Sequence, residues 1–123
     1  MKRSGFVKVY TFHQKDGIPI TSFDSSATMT RILQTDEPTH ISCLYLEEHG
    51  ILGFHQAKTT QMMLIVQGEG TITNDQETYM DVQQGDIVLW EENEWHETQS
   101  SQGLTAIVIE GTHMDPSFLI RKQ

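Results

Sequence analysis

The sequence predicts an all-β fold, a sandwich or barrel formed as a single domain over residues 1–123. Three observations predict it. Short segments rich in β-branched and aromatic residues recur along the chain, turn-forming residues separate them at close spacing, and no stretch carries the 3.6-residue apolar stripe of an amphipathic helix.

Phe6-Val7-Lys8-Val9-Tyr10-Thr11-Phe12 reads as a strand at a sheet edge, closed by the turn signal Asp16-Gly17. Residues 27–33 and 40–47 read as two more, parted by Asp36-Glu37-Pro38, where proline and acidic residues favour a turn. Residues 62–66, 71–73, 78–82, 87–89, 97–99 and 104–109 follow, with turns expected at Gly68, Asn74-Asp75, Gly85, Asn93 and Gly103. Residues 116–123 are expected to form a short helical turn or an extended tail. Phe118, Leu119 and Ile120 make an apolar patch there, to be covered by a homodimer interface or by the chain's own barrel. The single cysteine, Cys43, lies in an apolar run and is expected to be a small buried core residue.

Size and charge exclude several function classes. A domain of 123 residues buries roughly two thirds of the surface its unfolded chain exposes, enough for one core. No apolar run approaches the ~18 residues needed to cross a bilayer, and the basic start Met1-Lys2-Arg3 lacks the apolar stretch of a secretory signal, so a cytoplasmic protein is expected. The net charge of −9, with no Lys/Arg cluster to offset it, argues against nucleic acid and membrane partners. Neither a nucleophile elbow nor a glycine-rich phosphate loop is present, which removes nucleophilic and nucleotide-dependent enzymes.

Two segments carry the functional information. The first runs Gly50-Ile51-Leu52-Gly53-Phe54-His55-Gln56-Ala57-Lys58-Thr59-Thr60-Gln61 and on to Gly68; the second runs Gly85-Asp86-Ile87-Val88-Leu89-Trp90-Glu91-Glu92-Asn93-Glu94-Trp95-His96. They resemble, in order, the two motifs of the cupin family, G-x(4–5)-H-x-H-x(3–4)-E-x(6)-G and G-x(5)-P-x-G-x(2)-H-x(3)-N. Gly50, His55, Gly68, Gly85 and His96 match. The second His is replaced by Ala57 and the Glu by Gln61, while Glu91, Asn93 and Ser100 stand for Pro, Gly and Asn. The resemblance covers about residues 40–110, with the motifs at about 50–70 and 85–100. It implies an RmlC-like jelly roll, a double-stranded β-helix with its site at the wider mouth.

The departures differ in weight. Asn93 for Gly is mild, because Asn tolerates the left-handed conformation of a tight turn. Ala57 and Gln61 matter more: in the family those positions hold a divalent metal, whereas Ala offers no donor and an amide oxygen binds a cation more weakly than a carboxylate. The resemblance therefore implies either no cofactor or a weakly bound divalent transition metal on His55, His96 and Gln61.

Alternation along a strand puts Gln61, Met63 and Ile65 on one face, the interior if the family pattern holds, with His96 and Thr98 pointing the same way. His55, Gln61, Met63, His96 and Thr98 are thus the expected ligand-binding residues, with Trp90 or Trp95 near the mouth. His55 and His96 have three readings: satisfied polar residues retained from a metal site, ligands of a weak metal, or direct contacts to an organic molecule. His13, His40, His49 and His113 read as surface or loop residues, although His40 could supply a missing ligand if its strand faces His55. Glu47-Glu48 and Glu91-Glu92 read as solvated charge. The expected function is a small-molecule-binding cupin acting as a homodimer. The alternatives are a metal-dependent dioxygenase or isomerase using His55, His96 and Gln61, and a ligand-sensing module acting with a separate partner.

Overall fold

One strand of 15 residues, Thr60–Asn74, organises the barrel. The computed structural model describes residues 7–122. In chain order the strands are β1 (Lys8–Thr11), β2 (Ile18–Ile20), β3 (Ala27–Met29), β4 (Thr39–Leu46), β5 (Gly50–Gln56), β6 (Thr60–Asn74), β7 (Tyr79–Gln83), β8 (Asp86–Trp90), β9 (Trp95–Ser100), β10 (Leu104–Gly111) and β11 (Ile120–Arg121). The first part of β6 lies between β8 and β10, and its last part pairs with β7 and β9. It thereby joins a first sheet, ordered β11-β1-β8-β6-β10-β4, to a second ordered β5-β9-β6-β7, and every pairing is antiparallel.

The sequence expectation of two strands parted by a turn at Gly68 is corrected here: a single bent strand replaces them. Its bend has two local causes. Val66 has no partner where the register with β10 shifts, as in a bulge, and Gly68 takes φ +85° against the backbone of Gly103.

Along β8, β6 and β10 the first sheet buries both faces. Inward, Val9, Met63, Ile65, Val88, Trp90 and Ala106 pack against Ile72 and Val82 of the second sheet. Outward, Met62, Leu64, Ile87, Leu89 and Ile109 are covered by Ile32, Leu33, Met114 and Leu119. That explains why Met62–Ile65 and Ile87–Trp90 are unbroken apolar runs where a half-exposed strand would alternate.

Other expectations need correction. Cys43 is exposed, because it sits on the outer side of β4, beyond the segments that cover the rest of that face. β1 is not an edge: it lies between β8 and β11, while Phe6 falls outside the described residues. Residues 27–33 are strand only over Ala27–Met29, which forms a separate hairpin with β2; Ile32 and Leu33 are recruited as cover instead. Residues 50–56 were not expected as a strand, since Gly50 and Gly53 lower its β signal. The C-terminal segment makes a 3-10 turn at Pro116–Phe118 and then folds back on β1, although Phe118 and Ile120 remain exposed. Asn93 and Gly85 do adopt positive φ, as their turns require.

Candidate functional site

His55 and His96 are direct partners across β5 and β9. Between Leu52 and His55 the β5 strand holds one residue more than β9 does over the facing stretch, and this irregularity turns His55 onto the inner face. Phe54 is left outside, stacked on Trp95 at 5.4 Å. The two imidazole centroids lie 4.3 Å apart. His55 Nδ1 is 2.6 Å from the Gly53 carbonyl oxygen. A carbonyl can only accept, so Nδ1–H donates, and in the neutral ring Nε2 is then the acceptor.

His96 is only 2% exposed and stacks on Trp90 with centroids 4.6 Å apart. Neither of its ring nitrogens has a hydrogen-bond partner, and neither has the hydroxyl of Thr98, two residues along the same face. Burial, and secondarily the neighbouring His55, push the His96 pKa down to about 4. The ring is therefore neutral at pH 7, with one donor and one acceptor. Unpaired buried polar groups cost roughly 1–3 kcal/mol each, so a cluster of three is an unusual feature for a folded domain to keep.

The facing wall comes from the first sheet. Gln61 is paired with Trp90 on one side and with Glu110 on the other, and Glu110 is paired with His40 of β4. Met63, Val88, Val108 and Leu44 on the same strands belong to the inner core, so alternation carries Trp90, Gln61, Glu110 and His40 onto the inner face as one row. Met63 is buried one step deeper, beside Val88. The structure thus brings together His55, His96 and Thr98 on one sheet and Gln61 and Met63 on the other, bridged by the Trp90–His96 stack. Sequence reasoning missed Glu110, although its alternation with Ala106 and Val108 is the signal that places it inward.

The donor set does not suit a tightly held metal. His55 and His96 supply two imidazoles, Gln61 an amide, and Ala57 is wholly buried in apolar packing. Among the described residues no group of three His, Cys, Asp or Glu side chains is placed to hold an ion. A groove of about 810 Å³ lies elsewhere, along the exposed face of the second sheet, lined by Ile51, Thr71, Asp81 and Gln99 among others. No buried unpartnered group is found among its lining residues, so the chemistry points to the histidine pair instead.

Two antiparallel sheets joined by a crossing strand, with a histidine pair between them, make this a cupin. The sequence pattern of the AraC-like ligand binding domain matches residues 42–120, more than half of the chain, and the chain belongs to that family. No curated protein sequence matches it. Solved structures agree on the fold. A cupin superfamily protein from Desulfitobacterium hafniense superposes with TM-score 0.57 at 19% identity, covering 84% of this chain and 96% of that one. An RmlC-like cupin from Shewanella frigidimarina gives 0.56 at 15%, covering 67% and 69%. A predicted oxalate decarboxylase from Thermotoga maritima gives 0.52 at 15%, covering 67% and 65%.

Proposed function

We propose that the chain binds a small polar molecule at the mouth between its sheets and retains it without transforming it. The observation that carries this reading is the unpartnered set of His96 Nδ1, His96 Nε2 and the Thr98 hydroxyl. A ligand bearing hydroxyl or amine groups would satisfy them, and would also reach the free Nε2 of His55, the Gln61 amide and the Glu110 carboxylate. Such a site, with apolar walls and a few convergent polar groups, is the usual composition of a small-molecule pocket. Membership of a ligand-binding family supports sensing over catalysis, with the signal passed to a separate partner.

The ligand is neutral or cationic. The inward strand positions, from Val9 through His40, His55, Gln61, His96 and Glu110, include no lysine or arginine among the described residues, and His96 is held neutral. A carboxylate or phosphate would meet no counter-charge there. The protein is read as cytoplasmic, without a nucleic acid or membrane partner; no described helix is long and apolar enough to cross a membrane. Any divalent metal is weakly held.

Native mass spectrometry and elemental analysis of protein purified without a metal-affinity tag test this reading. An organic molecule retained by the wild type and lost from His96→Leu is the expected result. Stoichiometric metal with no organic ligand would overturn it in favour of a metal-dependent enzyme.

A further inference from the structure

Two carboxylates occupy inward positions of the first sheet, and only one has a counter-charge. Asp86, which alternates with Val88 and Trp90 along β8, is buried and accepts from Lys122 Nζ at 2.8 Å and from the Gln83 N–H at 2.9 Å. Glu110, at the mouth end of β10, is half-buried, and its carboxylate has neither an ion pair nor a hydrogen-bond partner among the described residues. The lysines at that end do not answer it. Lys8 points outward between Val7 and Val9 and is engaged by Glu91, while Lys58 is exposed in the turn before β6.

We infer that the mouth selects a small hydroxylated amine, its ammonium group held by Glu110 and its hydroxyl by His96 and Thr98. The inference rests on the reading of the mouth as a binding site and narrows the ligand from neutral or cationic to cationic. A molecule that fills the mouth takes the Glu110 carboxylate out of water. A neutral ligand would leave that charge buried and unpaired, which costs far more than an unpaired hydroxyl, whereas an ammonium answers it. The row geometry suits a compact cation. Gln61 and His40 flank Glu110 on the neighbouring strands, so acceptor atoms surround one point; the diverging N–H bonds of an ammonium fit that better than the flat fork of a guanidinium.

The other end of the ligand follows from the histidine. Neutral His96 offers one donor and one acceptor, the Thr98 hydroxyl offers either, and a hydroxyl on the ligand can meet both. Trp90, on which His96 stacks, lies two strands from Glu110 in the same row, so their Cα atoms are about 9–10 Å apart. Side chains reaching in from both ends shorten that gap to the length of a few carbon atoms.

Three probes of one length separate charge from fit: 4-amino-1-butanol, 1,4-butanediol and 4-hydroxybutyrate. In ligand-observed NMR titrations of the full chain at pH 7.5, the amine is expected to bind at least about ten-fold more tightly than either counterpart. Glu110→Gln keeps the shape and removes the charge, and is expected to bring the amine to the level of the diol. Added salt is expected to weaken the amine more than the diol. His96→Leu is expected to weaken both. Equal affinity for the amine and either counterpart, or a preference that survives Glu110→Gln, overturns the inference and leaves the binding reading standing. Binding of none of the three overturns it as well, and the molecule retained in native mass spectrometry then judges the binding reading by itself.

Discussion

His96 lies nearly parallel to Trp90, their rings inclined by 25° with centroids 4.6 Å apart, so the one imidazole buried between the sheets rests on the largest side chain of the core. The indole excludes water from the ring while offering its nitrogens no acceptor. The same contact therefore sets the charge of His96, its cost to stability and its availability to a ligand.

The charge state gives a pH dependence with a definite sign. The folded pKa of His96 is about 4, below the ordinary value of 6.5, so as pH falls the unfolded chain takes up a proton first. Stability is complete above about pH 6.5 and declines toward pH 4, by up to about 3 kcal/mol from this group. Urea titrations at pH 7.5, 5.5 and 4 should show the decline, and His96→Leu should flatten it. An NMR titration that placed His96 near 6.5 would contradict the burial argument.

The unpartnered groups predict a trade between stability and binding. Thr98→Val removes a buried hydroxyl with little change of shape, and His96→Leu removes two orphaned nitrogens at similar volume. Each is expected to leave stability unchanged or raise it by about 1–2 kcal/mol, while abolishing retention of the ligand. Denaturant midpoints together with mass spectrometry check both halves. A loss of more than about 2 kcal/mol in Thr98→Val would mean that the hydroxyl has a partner in the free protein.

Much of this was legible in the sequence, and what was not had physical reasons. Gly50, His55, Gly68, Gly85 and His96 in order were enough to imply the jelly roll and to bring the two histidines together. Periodicity was a poorer guide to β6, because a strand shared by two sheets bends and changes neighbours at Gly68 without ending, and a glycine there reads as a turn. Cys43 was misplaced because an apolar run does not reveal which of its faces is covered; Leu44 and Leu46 turn inward, and Ile41, Cys43 and Tyr45 do not. Glu110 escaped notice because a charged residue ending an apolar strand looks solvated until register places it beside Gln61.

The switch of β6 between sheets predicts a sharp contrast between two glycines. A Cβ at Gly68 would stand 2.3 Å from the Gly103 carbonyl oxygen, and its φ of +85° is strained for any L side chain. Backbone cannot yield there without parting β6 from β10. Gly53, by contrast, has nothing within 4 Å of the added carbon. Gly68→Ala is expected to cost about 2–4 kcal/mol or to prevent folding, and Gly53→Ala to stay within about 0.5 kcal/mol of wild type. Thermal melts of the pair decide it, and equal melting temperatures would refute the account of the bend.

Restoring a carboxylate at position 61 tests what the mouth has lost. Adding a histidine at Ala57 as well would recreate the family's donor set, but Ala57 is wholly buried in the inner core. Its backbone is also pinned by bonds to Glu94 and Asn93, so the larger ring would cost roughly 1–3 kcal/mol through overpacking. Gln61→Glu alone is the cleaner variant. It nearly preserves shape, and it adds a third strong donor to His55, whose Nε2 is free, and His96, whose nitrogens are unbonded. Calorimetric titration with zinc, nickel and manganese is expected to find weak binding by the wild type and at least about ten-fold tighter binding by the variant. The metal should also raise the variant's melting temperature, since it binds only the folded chain. Tight one-to-one binding by the wild type would reverse the functional reading, because two imidazoles and an amide would then suffice. No gain in Gln61→Glu would mean that the side chain at 61 stays with Glu110 and His40 on its own sheet, and that the mouth is shaped for an organic ligand alone.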